Sequence, residues 1–257
     1  MTDKIKVERH GPVTVLRLDD LETMNALTST MALELRDLLL LEAQTARAIV
    51  LAGSSRAFSA GANLKQSKPE SRTELDAGAA LENAYNPLMT TIRDLPVPVV
   101  SAVQGAVAGI GASLALACDV IVAGRDAYFL EAFARIGLIP DGGATWLLTR
   151  AVGRVRAMEM MLLAEKIPAP TAFDWGLVTR LVENDEVEAK ALEIATLANG
   201  PVRSLALIRK AAWSAADTDF DTALANERKW QKEAGNTPDF QEGVAAFLEK
   251  RPPRFNG

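Results

Sequence analysis

From Leu95 to Cys118 the chain runs 24 residues without a charged side chain, and no other stretch limits the fold as sharply. Its length would span a bilayer. Pro96, Pro98, Gln104, Gly105, Gly109 and Gly111 interrupt it, however, and its flanks are Asp94 and Asp119, where a membrane helix prefers Lys or Arg and aromatic belts. The reading that fits is a buried strand, VPVVSAV (Val97–Val103), a glycine turn (Gln104–Gly111) and a buried helix beginning ASLALAC. No membrane association is expected.

Similar units surround it. Val13, Val15 and Leu16–Leu18 form a β-rich run closed by Asp19-Asp20, and Thr28 is placed to cap a helix through MALELRDLLLLEAQ. RAIVLAG (Arg47–Gly53) is a short strand running into the turn-rich GSSRAFSAGAN. The polar stretch Gln66–Gly78 has little apolar surface to bury and is expected to be a mobile loop. A helix over about Ala79–Arg93, the strand DVIVAG and a mainly helical remainder beyond Gly143 complete the pattern, with VTRLV (Val178–Val182) as one late strand. Strands alternating with helices, followed by a helical tail, predict an α/β fold.

The chain has 257 residues, enough for a large core, but one His, one Cys and a formal net charge of −5. No zinc site of the usual His and Cys kind can be assembled within one chain, nor a disulfide. No metal is expected. His10 lies in a polar N-terminal segment, a poor place for the imidazole of a Ser-His-Asp or Cys-His mechanism. The acidic balance, without a basic run, argues against nucleic acid. The charged N-terminus and the lone Cys118 in an apolar run suggest a cytoplasmic protein. The chemistry is left to carboxylates, hydroxyls, backbone dipoles or a cofactor.

Two glycine-rich turns follow strands: Phe58-Ser-Ala-Gly-Ala-Asn-Leu-Lys65 and Gly105-Ala-Val-Ala-Gly-Ile-Gly-Ala-Ser113. Small residues there serve either close packing of helix on strand or approach of backbone N–H groups to a ligand. Neither turn has the spacing of a dinucleotide or P-loop fingerprint. Gly111-Ala-Ser113-Leu-Ala115 lacks the last glycine of a nucleophile elbow, and no His follows it. Asp141, in Ile136-Gly-Leu-Ile-Pro-Asp-Gly-Gly, reads either as a helix N-cap or as a desolvated carboxylate suited to moving a proton. Glu131 reads mostly as an exposed surface charge.

Taken together, Met24-Asn-Ala-Leu27, AFSAGANLK (Ala57–Lys65), PVPVVSAVQGAVAGIGASLALACD (Pro96–Asp119), IGLIPDGGATWLLTRAVG (Ile136–Gly153), AFDWGLV (Ala172–Val178) and EGVAAFLEKRPPRF (Glu242–Phe255) resemble the crotonase (enoyl-CoA hydratase/isomerase) superfamily. The resemblance covers nearly the whole chain and implies an α/β spiral of ββα units over 1–195. It also implies a helical oligomerisation region over 196–257, forming a homotrimer or a hexamer built as a dimer of trimers. The implied ligand is an acyl-CoA thioester, with coenzyme A as part of the substrate and no other cofactor. The N–H groups of Ala62 and Ile110 would form an oxyanion hole, with Gly109 beside them. Ala60, Asn63, Leu64 and Lys65 fall where the family contacts coenzyme A, and Phe247 and Lys250 where a neighbouring subunit reaches it. Asn63 replaces the family's usual Asp, and Leu21 and Glu22 occupy a stretch where a basic residue is usual.

The two glutamates of typical hydratases fall on Ser113 and Phe133, whereas Asp141 coincides with the acid of several isomerases, including ring-1,2-epoxyphenylacetyl-CoA isomerases of phenylacetate degradation. The expectation is therefore an acyl-CoA isomerase with one working carboxylate, Asp141. Ser113 would touch the ligand, and Phe133 and Trp146 would line the acyl pocket or serve as core aromatics. The alternatives are an enoyl-CoA hydratase using Asp141 or Glu131, and a non-catalytic binding protein of the same fold.

Overall fold

The computed structural model of the chain describes residues 2–65 and 76–255, so the loop expected at Gln66–Gly78 lies for the most part outside the described residues. The apolar, β-branched runs form β3 (Ala48–Ala52) and β5 (Val99–Val103), with every residue buried. They pair in parallel, Ile49 opposite Val99, as expected of strands covered on both faces. β2 (Val13–Leu18) joins β3 on one side and β7 (Val120–Gly124) joins β5 on the other. β1 (Ile5–His10) and β10 (Arg180–Val182) are the edges, giving the order β1-β2-β3-β5-β7-β10.

Three strands of this sheet each hand the chain to a short strand in a second sheet. β3 is followed by β4 (Ala57–Ser59), β5 by β6 (Ala106–Ala108), and β7 by β8 (Tyr128–Leu130); β9 (Ile167–Pro168) closes this sheet as β4-β6-β8-β9. Helices complete the turns: α1 (Ser29–Glu42) precedes β3, α2 (Asn86–Asp94) follows β4, and α3 (Ile110–Leu116) follows β6. The result is the spiral of ββα units. β4 and β6 lie inside segments that read as pure glycine turns, because three residues of Ala, Val, Phe or Ser carry no detectable period. β1 was hidden for another reason: it is an edge strand whose Lys6, Glu8 and Arg9 leave only Ile5 and Val7 as apolar markers.

Odd and even residues of the large sheet serve two cores. Ile49, Leu51, Val99 and Val103 pack with α1, α2 and α3, where Leu35, Leu39, Leu88 and Ile92 are buried. Val50, Val100 and Val122 pack on the opposite face with Val187, Ala191 and Ala195 of α7 (Val187–Ala195). Thr28 caps α1 as expected, its Oγ1 accepting from Met31 N at 3.1 Å. Between the two, α4 (Ala144–Ala151), α5 (Gly153–Leu163) and α6 (Ala169–Asp174) lead from the last ββ unit to β10.

The C-terminal region is helical: α8 (Val202–Ala215), α9 (Phe220–Gly235) and α10 (Pro238–Glu249). Arg209 of α8 is 6% exposed and ties this region to the spiral. It donates to Asp119 Oδ2 at 2.6 Å, to Ile92 O at 2.8 Å and to Leu95 O. Asp119 in turn accepts from Val99 N at 2.7 Å, so the end of α2, the start of β5 and the middle of α8 meet at one partly buried ion pair. No helix among the described residues is long and apolar enough to cross a membrane.

Candidate active site

The two glycine turns meet. Gly61 and Gly109 adopt φ +101° and +50°, and a β-carbon on Gly109 would lie 3.7 Å from Gly61 Cα and 3.6 Å from Phe133 Cζ. Gly109 is the N-cap of α3, so the next residue, Ile110, presents one of the N-terminal N–H groups that have no intrahelical partner. Ala62 arrives differently. Leu27 N donates to Gly61 O at 2.7 Å and Asn63 N donates to Leu27 O at 2.8 Å, a parallel bridge that turns the intervening Ala62 N–H away from Leu27. Neither the Ala62 nor the Ile110 N–H finds an acceptor among the described residues.

The Met24–Leu27 segment, to which the sequence assigns no task, gains one in the structure. Asn25 is fully buried with φ +58°, its Nδ2 donating to Ala57 O at 2.9 Å and its Oδ1 accepting from Asp20 N at 2.7 Å. It holds the loop that delivers Leu27 to Ala62. Tyr85 was also missed. It ends a π-helical turn, Leu81–Tyr85, that joins α2, and its hydroxyl donates to Leu27 O at 2.9 Å.

Asp141 is not a helix cap. The N-cap of α4 is Gly143, whose left-handed backbone starts the helix without side-chain help. Asp141 is half-buried, and its Oδ1 is inaccessible and without a hydrogen-bond partner among the described residues. Its backbone is fixed instead, with Asp141 O accepting from Ser113 Oγ at 2.8 Å and from Ala144 N at 3.0 Å. Gly142 is locked against the same helix, since a side chain there would collide with Ile110 Cδ1 and come within 2.9 Å of Ser113 Cβ. Burial pushes the Asp141 carboxyl up to about 6.

The expectation for Glu131 is overturned. It is 0% exposed, and neither carboxyl oxygen has a hydrogen-bond partner among the described residues. It follows β8 at the point where Leu130 O accepts from Gly109 N at 2.9 Å, so the chain carries it inward rather than to the surface. Burial, and secondarily the negative charge of Asp141, push its carboxyl up to about 8. Burial and the same Asp141 charge raise Tyr85 to about 12. The site therefore presents two acids where one was expected. Nothing beyond an acid between apolar neighbours, Phe129-Leu-Glu-Ala-Phe133, marked it in the sequence.

Other expected residues separate into groups. Phe133 is buried with its ring edge on Gly109, beside the two N–H groups. Ser113, expected to touch the ligand, is fully buried and holds the Asp141 turn from behind. Ala60 is fixed by its N–H to Met24 O at 2.9 Å, while Leu64 and Lys65 are exposed beyond Asn63. Trp146, expected in the acyl pocket or among the core aromatics, stacks on Trp213 with ring centroids 5.3 Å apart and lies under Arg150. It belongs to a cavity of about 740 Å³ that is also lined by Met89, Gly142, Leu147 and Trp213, behind the Asp141 turn rather than around Ala62 and Ile110. Phe247, 82% exposed, and Lys250, in a left-handed C-cap, sit at the end of α10, which packs on α9. The fold of one chain does not bring them to the glycine turns. Among the described residues no group of three or more His, Cys, Asp or Glu is arranged to hold a metal ion.

A ββα spiral whose glycine turns meet beside buried acids is the architecture of the crotonase class. The chain is a member of it: the family model for enoyl-CoA hydratase/isomerase matches residues 8–257, and the protein belongs to that family of acyl-CoA enzymes. It is 44% identical over 254 residues to a probable enoyl-CoA hydratase of Rhodobacter capsulatus, covering 98% of each chain. It is 40% identical over 249 residues to the 1,2-epoxyphenylacetyl-CoA isomerase of Escherichia coli, covering 95% of each. The crystal structure of an enoyl-CoA hydratase from Bacillus anthracis superposes with a TM-score of 0.93 at 30% identity, covering 99% of this chain and 100% of that one.

Proposed function

We propose that the protein is an acyl-CoA isomerase that moves a double bond, or opens a related ring such as an epoxyphenylacetyl group, through a thioester enolate. One observation carries this reading: the partnerless Oδ1 of Asp141 lies on a turn locked against Ile110, whose N–H is itself unsatisfied. The thioester oxygen would accept from the N–H groups of Ala62 and Ile110, whose positions are set before substrate arrives. Such preorganised donors are worth most as negative charge develops on the oxygen. Asp141, raised to about 6, is mainly ionised at neutral pH yet basic enough to take a carbon-bound proton made acidic by the thioester. Phe133 keeps the Gly109 side of the site dry.

Ala60, Asn63, Leu64 and Lys65 lie along the chain leading outward from the hole and suit the pantetheine and adenine parts of coenzyme A. Phe247 and Lys250 would act in a homotrimer or a hexamer. Exposed Ile208, Phe240, Phe247 and Leu248 on the C-terminal helices support such an assembly, since so much apolar surface is usually covered.

The test is D141N. Isomerase turnover should fall by about 10²–10⁴, the usual contribution of a positioned general base, while acyl-CoA binding is kept. Full turnover in this variant would contradict the reading. A second reading, enoyl-CoA hydration, is favoured by one observation, the second buried carboxyl at Glu131, and by the Rhodobacter relative. Loss of enoyl absorbance with crotonyl-CoA, at a rate matching or exceeding isomerisation, would select it.

A further inference from the structure

Glu131 is a buried acid without a structural occupation. A carboxyl group removed from water costs several kcal/mol unless it is hydrogen-bonded, so such a group in a native fold calls for a reason. Asn25, Ser59 and Ser113, the neighbouring buried polar residues, all bond to backbone; Glu131 bonds to nothing among the described residues. Its position is equally specific. Leu130, immediately before it, accepts from Gly109 N, and Phe133, two residues after it, lays its ring on Gly109. The acid is thus bracketed by two contacts with the residue that precedes the Ile110 N–H.

Charged groups nearby leave it uncompensated. Arg135, on the following turn, donates to Ala164 O, and Lys166, from the adjoining β9 side, sits over the Tyr128 ring. The group that acts on Glu131 is the carboxylate of Asp141.

We propose that Glu131 is a second catalytic carboxyl group, an acid that delivers a proton to the acyl chain at a carbon other than the one Asp141 deprotonates. The proposal rests on the enolate reading above and assigns its second proton transfer. With a 3-enoyl thioester, Asp141 takes the proton from Cα, and the C–H electron pair moves toward the thioester carbonyl. The resulting dienolate oxygen is held by the Ala62 and Ile110 N–H groups. The carbonyl then re-forms, the double bond moves to Cα–Cβ, and Cγ takes the proton of the Glu131 carboxyl. This leaves Glu131 ionised and Asp141 protonated; return of that proton from Asp141 to Glu131, directly or through water, resets the pair. Two carboxyls with separated affinities are suited to this, because Asp141 is ionised in the interval where Glu131 keeps its proton.

The experiment compares the pH profiles of kcat for wild type, E131Q and D141N with an enoyl-CoA. Wild type should rise through about pH 6 and fall through about pH 8. E131Q preserves the size of Glu131 and its neutral state. It should retain the acid limb, the melting temperature at pH 6 and acyl-CoA binding, but lose the alkaline limb and on the order of 10² in kcat. Wild-type kcat with an unchanged alkaline limb overturns the proposal, as does a slower enzyme that keeps that limb, which would make Glu131 structural. The outcomes separate from those of the underlying reading: inactive D141N beside fully active E131Q refutes only the role of Glu131, whereas active D141N refutes the enolate reading itself.

Discussion

The two sides of the site are built from different materials. On one side the proposed working groups are backbone N–H donors at Ala62 and Ile110, fixed by a parallel bridge to Leu27 and by the start of α3. On the other they are side-chain carboxyls, Asp141 and Glu131, whose properties come from what surrounds them. The backbone side depends on shape and has no titrating part. The carboxyl side depends on burial, and each of its groups changes state near physiological pH. In the proposed chemistry a permanent dipole stands apart from a switchable proton carrier, and each half should respond to a different perturbation.

Perturbing the backbone side should cost rate without moving a titration. Gly109 has φ +50°, faces Phe133 and adjoins Gly61, so G109V strains the turn and displaces the Ile110 N–H. Losing one such donor costs about 10²–10³ in rate, roughly 3 kcal/mol. The acid limb of the pH profile should stay near 6 in this variant, because Asp141 keeps its surroundings. A rate loss accompanied by a shifted limb would break the division between the two sides.

A second effect separates the carboxyls from the backbone by stability. Both acids hold protons more tightly in the folded chain than in the unfolded one, from 3.8 to about 6 for Asp141 and from 4.5 to about 8 for Glu131. Their stabilising contribution is therefore complete below about pH 4 and is lost as pH rises through those folded values. D141N and E131Q should melt several degrees above wild type at pH 9 and converge with it at pH 4, as differential scanning calorimetry would record. The smallest effect comes from Ser113. S113A removes one bond to Asp141 O, worth about 1 kcal/mol, so kcat should fall only about five-fold. A loss as large as that of D141N would mean that Ser113 touches the ligand after all.

The same division governs what the sequence disclosed. The glycine turns were legible because backbone geometry is set locally: Gly61, Gly109 and Gly142 sit where no β-carbon fits or where φ is positive. The strands β3 and β5 were legible from their unbroken apolar runs, whereas β4 and β6 were too short to show a period. Asp141 stood out by its apolar approach, but not its escape from helix capping, which depends on Gly143 starting α4. Glu131 was misjudged because its burial is a product of β8 pairing with β6, a contact with no local sign. Trp146 read equally as an acyl-pocket or a core aromatic, and its stacking partner Trp213, 67 positions along the chain, had no local sign.

The proposed chemistry requires Asp141 to remove a carbon-bound proton. Wild type and D141N, each incubated with an enoyl-CoA in D2O at pD near 7, can be followed by proton NMR of the α and γ positions. Wild type should incorporate deuterium at these positions, and D141N should do so about 10²–10⁴ more slowly with the thioester still bound. Equal incorporation by the two proteins would contradict it.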